Sequence, residues 1–148
     1  MTQRQALIFV CDDVLISLNG KYTVAGLYTG DIVVPQIPAP LPQLVIMFEI
    51  TTTVDKPFKT LILQVSIPGE SAPRRLDLSP TLQSAPTLPA RSMLMYRFPF
   101  LIQNVRIQQS GPIEAVIIHE DGELSAGQQW IVTVAEAQAN IAAPLPKT

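Results

Sequence analysis

At 148 residues, 47% hydrophobic and only 15% charged, the chain can bury a core as one domain, 1–148, and has the opposite of a disordered composition. Ten basic against twelve acidic residues give −2, with no long run of either sign; recruitment to nucleic acid or anionic lipid by net charge is excluded. Cys11 is the only cysteine, which excludes an intrachain disulfide and zinc sites built on several thiolates.

The N-terminal stretch MTQRQALIFVCDDV has no small-residue cleavage site before Asp12 and Asp13 and does not read as a signal peptide. No apolar run approaches the ~20 residues that span a bilayer. The expectation is a soluble, cytoplasmic protein with no membrane span. Ala6 to Cys11 is apolar on both faces, as in a central strand. Cys11 reads as a small packed hydrophobe. Phe9 to Pro35 reads as one long hairpin turning at Asn19-Gly20, a pair suited to a type I′ turn because both residues tolerate positive φ. Asp12-Asp13 interrupts its first arm.

Pro35, Pro38, Pro40 and Pro42 cannot sit in a helix interior or complete a ladder, so they predict an extended crossover between sheets. Gln43 to Val54 alternates apolar and polar residues, and Phe58 to Ile67 answers it across Asp55-Lys56-Pro57, which predicts a second hairpin. From about 68 to 92 the periodicity fades among prolines, and only Arg74 to Leu78 suggests a short strand. A loop of this length is the expected partner-contacting segment. Met95 to Gln108 reads as a strand bent at Pro99, with a bulge after Asn104. Ser110-Gly111-Pro112 turns the chain, and Ile113 to Glu120 pairs back. Asp121-Gly122 is a turn pair, with the last strand starting at Trp130. The tail, about 137–148, is expected to fray, with a helical turn over 136–142. About seven to nine strands with turns at short spacing predict an all-β antiparallel sandwich, Greek-key, C2-like or immunoglobulin-like.

Candidate chemistry is sparse. His119, the sole histidine, precedes Glu120 and Asp121, but adjacent strand residues point to opposite faces and no triad partner is evident. Asp12, Asp13 and Asp31 could gather at one rim with Asp55 or Asp121 and hold calcium, as loop aspartates do in C2-type sandwiches; calcium needs six to eight oxygens, and the dense Asp-x-Asp spacing is missing. Phosphate-binding glycine loops and a G-x-S-x-G elbow are absent from the sequence. Tyr22, Tyr28 and Trp130 could line a sugar-binding face, though strand aromatics usually pack against neighbours.

Cys11-Asp12-Asp13, Asn19-Gly20-Lys21, Gly26 to Ile32 and Leu41-Pro42 together resemble a family of small uncharacterised bacterial β-sandwich proteins over the first third of the chain. The resemblance implies no activity, cofactor or catalytic residue. The expectation is therefore a non-catalytic interaction or structural module holding a protein partner or a second copy of itself. The alternative is a C2-like or sugar-binding ligand module. No catalytic, cofactor-binding or metal residue is assigned, and no nucleic-acid partner is expected.

Overall fold

Leu44, Ile46, Phe48 and Ile50, buried in the core cluster while Val45 and Met47 between them are buried outside it, form the spine on which the rest of the chain is laid. The structure is a computed structural model and describes residues 3–82 and 92–142. Its strands are β1 (Gln5–Cys11), β2 (Asp13–Ile16), β3 (Tyr22–Ala25), β4 (Ile32–Val34), β5 (Ala39–Thr53), β6 (Leu61–Ser66), β7 (Arg74–Asp77), β8 (Met93–Ile107), β9 (Gly111–His119) and β10 (Gly122–Thr133). A single turn α1 (Ser79–Leu82) and a short helix α2 (Val134–Ala142) complete it. The chain is all-β, as the alternation predicted. The middle of the proline-rich loop, 83–91, and the end of the tail, 143–148, lie outside the described residues.

The strands form a three-stranded sheet in the order β1-β5-β8, a five-stranded sheet β4-β10-β9-β6-β7 and a two-stranded hairpin β2-β3. The inner faces of the two larger sheets merge into one apolar cluster. Phe48, Ile50, Phe100 and Ile102 come from the first, and Leu63, Val65, Ile113, Ile117 and Ile131 from the second. The antiparallel expectation fails in one place: β4 runs parallel to β10. The chain between them is long, so no hairpin dictates their direction.

Strand pairing departs from the sequence reading more than strand location does. The stretch from Phe9 to Pro35 is not one hairpin. Instead β1 pairs with β5, β2 pairs with β3, and β4 joins the other sheet. The turn is also different. Ser17 and Lys21 close a loop of Leu18, Asn19 and Gly20, with the Gly20 amide donating to the Ser17 carbonyl at 2.9 Å. Gly20 has φ +77 and Asn19 does not enter the positive-φ region. That is a type I turn followed by a left-handed glycine, in place of type I′.

The expected β5–β6 and β8–β9 hairpins are crossings from one sheet to the other, because β5 pairs with β8 and β6 with β9. A turn signal marks reversal of the chain and not the identity of the neighbour. The Pro35–Pro38 segment does cross between sheets, but Ala39 to Pro42 already pair with β8. The bulge expected at Asn104 is not one either. Leu41↔Val105 and Gln43↔Gln103 keep the same offset, and the inward face switches because Asn104 takes φ +53 opposite Pro42. The last strand begins at Gly122, well before Trp130. A register shift between Ser125 and Gly127 inserts Ala126 and hides the period-two pattern.

Candidate functional site

The β9–β10 connection is where the titratable groups gather. β9 ends at His119, so Glu120 and Asp121 lie in a tight turn, and His119 re-pairs with Gly122. The expectation that His119 and Glu120 diverge assumed a continuing strand. In the turn, one ligand-type atom from each of His119, Glu120 and Asp121 falls within 4.8 Å of the others, the one such group among the described residues.

Arg4, from the segment before β1, fills the middle of this group. Its Nη1 donates to His119 Nδ1 at 2.8 Å and to Asp121 Oδ2 at 3.1 Å. Its Nη2 donates to Glu120 Oε1 at 2.5 Å and lies 3.4 Å from the carbonyls of Lys56 and Pro57. The guanidinium carbon stands 4.4 Å from the centre of the Phe58 ring, which meets His119 edge-on at 5.7 Å. The Arg4 side chain is only 8% exposed. Lys56 Nζ closes the outer side on Asp121 at 3.0 Å. Two cations therefore balance two carboxylates.

The protonation states follow from these partners. For Glu120, burial opposes ionisation, but the Arg4 guanidinium and the backbone amides of Glu120, Thr60 and Lys59 outweigh it and hold the carboxyl at about 2. His119 is pushed down, first by burial and then by Arg4. Its Nδ1 also accepts the Asp121 amide at 3.2 Å, so two donors use that lone pair and the ring proton sits on Nε2. A divalent metal would have to displace a buried guanidinium already holding the same three groups. The arrangement works as a latch: it ties the N-terminal segment to the β5–β6 crossing and the β9–β10 turn.

The other candidates do not converge on it. Asp12 Oδ1 accepts the Tyr28 hydroxyl at 2.9 Å, and that phenol is pushed up to about 12, first by burial and then by Asp12. Asp13 Oδ1 accepts the Val14 amide at 2.8 Å and the Gln43 amide group at 3.0 Å. Both aspartates thus root the β2–β3 hairpin. They form no ligand set with Asp31, Asp55 or Asp121 among the described residues, which removes the geometric basis of the calcium expectation. Cys11 is fully buried, with its Sγ 3.8 Å from the Val45 carbonyl, and burial pushes the thiol up. Tyr22, Tyr28 and Trp130 share no face: Tyr22 reaches the Arg97 carbonyl at 3.4 Å, Tyr28 turns to Asp12, and Trp130 stands on β10.

Sequence reasoning missed Arg4 altogether. Its partners lie from about fifty to more than a hundred positions away, and no local pattern announces them. It also missed Thr133-Val134-Ala135-Glu136, which had a readable signal. Thr133 and Glu136 form a capping box: the Glu136 carboxylate accepts the Thr133 amide at 2.6 Å, and the Thr133 hydroxyl accepts the Glu136 amide at 3.3 Å. T-x-x-E is the sequence form of that device.

Fold and cluster together define a small all-β protein whose gathered ionisable groups are engaged with one another. No helix among the described residues is long and apolar enough to cross a membrane. Residues 6–132 match the model of DUF6941, a family of unknown function, and the chain belongs to that family. No curated protein and no solved structure matches it.

Proposed function

We propose that the protein is a non-catalytic interaction module: a two-layered β-sandwich that presents the β2–β3 hairpin to a protein partner or to a second copy of itself. One observation carries this reading. Leu15, Ile16 and Leu27 are each more than half exposed, and Leu18 at the tip is fully exposed. A two-stranded hairpin is marginal in water by itself, and polar residues would serve its exposed surfaces better unless something covers them. Clustered exposed apolar side chains of this kind suit a contact that takes them out of water. The non-catalytic part is supported by the latch, whose histidine and carboxylates are all held by Arg4, Lys56 or backbone amides. This reading takes the hairpin as the contact surface; the middle of the 68–92 loop, the surface expected from the sequence, lies outside the described residues.

The test compares the wild-type chain with Leu15→Asp/Leu18→Asp in affinity capture from native lysate and in light scattering over a concentration series. Both residues are exposed, so the double variant keeps the wild-type melting temperature. The reading expects one stoichiometric partner, or a dimer, that the double variant loses. Identical capture by both chains, with both monomeric throughout, refutes it.

A further inference from the structure

On the outer face of the five-stranded sheet, on the other large sheet from the β2–β3 hairpin, Trp130 opens onto a cleft of about 660 Å³ between β10, the segment before β4, and α2. Its walls include Asp31, Ser110, Glu136 and Asn140. We propose that this cleft binds a neutral saccharide, with one sugar ring stacked on the Trp130 indole.

Three features argue for that ligand class. First, Trp130 is 45% exposed on a strand paired with Pro112, so an aromatic side chain is held in reach of water by the sheet. A sugar ring offers the matching partner, an apolar C–H face edged by hydroxyls, and aromatic side chains with one apolar and one wet side favour such contacts.

Second, the polar groups divide into fixed and free. Glu136 is committed: its carboxylate accepts the Ser110 hydroxyl at 2.7 Å and the Thr133 amide at 2.6 Å, which braces α2 against the sheet. The Gln129 side chain donates to the Gly30 carbonyl at 2.6 Å and anchors the backbone just before Asp31. By contrast, the side chains of Asp31 and Asn140 and the indole Nε1 have no hydrogen-bond partner among the described residues. A carboxylate and an amide with unused acceptors and donors, set beside an aromatic face, can take vicinal hydroxyls two at a time.

Third, the charges select. Among the described residues no basic side chain lines the cleft, and its carboxylates repel phosphates, sulfates and uronates. A fully apolar ligand would prefer a closed pocket. A quaternary ammonium would find only one aromatic wall, where a cage uses several.

Trp130 is the only tryptophan in the chain, so tryptophan emission, excited beyond the tyrosine absorption band, reads this cleft alone. The experiment screens the whole protein on a printed array of neutral and acidic glycans. The best neutral binder is then titrated as a soluble oligosaccharide, with choline chloride as the cationic control. The expected result is a neutral glycan that shifts Trp130 emission saturably at micromolar to millimolar concentration. By calorimetry, binding is lost in Trp130→Ala and at least tenfold weaker in Asp31→Asn and in Asn140→Ala. Leu15→Asp/Leu18→Asp leaves it unchanged, which separates this site from the hairpin surface. All three positions are exposed, and circular dichroism verifies that the variants fold. The proposal is overturned by an array without a neutral binder, by acidic glycans alone, by emission that answers choline and not sugar, or by undiminished affinity in Trp130→Ala.

Discussion

Glu120→Gln isolates the charge that holds the N-terminal segment down. The amide keeps an oxygen to accept the Lys59 and Thr60 N–H groups and turns the atom facing Arg4 from an anionic acceptor into an NH2 donor. Holding a carboxyl at about 2 instead of 4.5 corresponds to about 3 kcal/mol. One fifth of the side chain surface is open to water (20%), and solvent screening there reduces the share expressed as stability to roughly 2 kcal/mol. Arg4, left buried without its nearest anion, acts in the same direction. For a chain of this length the loss is a fall in melting temperature of about 4–7 °C. The sign with pH is fixed. An acid whose folded pKa is depressed stabilises fully above 4.5, and that contribution is lost as pH falls toward 2. Urea unfolding followed by far-ultraviolet circular dichroism, from neutral pH down to near 2, measures it. The gap between wild type and variant should be widest at neutral pH, shrink below 4.5 and close near 2. Equal midpoints at neutral pH, or a gap that persists unchanged in acid, refute the latch.

Two further perturbations probe the hairpin base. Gly26 has φ +65, and a Cβ there would fall on the Asp12 carboxylate. Gly26→Ala should therefore cost roughly 2 kcal/mol and speed amide exchange in β2 and β3 while leaving β5 protected, read by exchange mass spectrometry. Cys11, fully buried and with its thiol raised by burial first and then by Asp12 and Asp13, should resist a disulfide-exchange reagent such as DTNB at mildly alkaline pH and react fully only in denaturant. Rapid labelling of the native chain would show that the hairpin opens readily over β1.

Legibility in this sequence follows the range of the physical signal. Period-two burial is local, so Leu44 to Ile50 and Leu61 to Ile67 could be read as strands with correct inward faces. The proline spacing after Val34 likewise marked a passage between sheets. Pairing is not local. Each apolar strand face states that it is buried and leaves the covering strand unnamed, so Asp55-Lys56-Pro57 and Ser110-Gly111-Pro112 looked like hairpin turns and are crossings. Backbone exceptions blur even the local signal: left-handed Asn104 reverses the inward face without adding a residue, and the extra Ala126 erases the alternation of β10 before Trp130. The ionisable groups show the same limit in sharper form. Glu120 and Asp121 were visible as acids beside His119, with no triad partner evident and Asp121 weighed only as one member of a calcium rim. What decides their role is Arg4, supplied from the far end of the chain by the β1–β5 pairing and by the approach of β1 to β10. A charge cluster read without its long-range counter-ion looks like a site. With Arg4 in place, the same three residues are a fastening, and the two surfaces proposed to bind, among the described residues, are the β2–β3 hairpin and the Trp130 cleft.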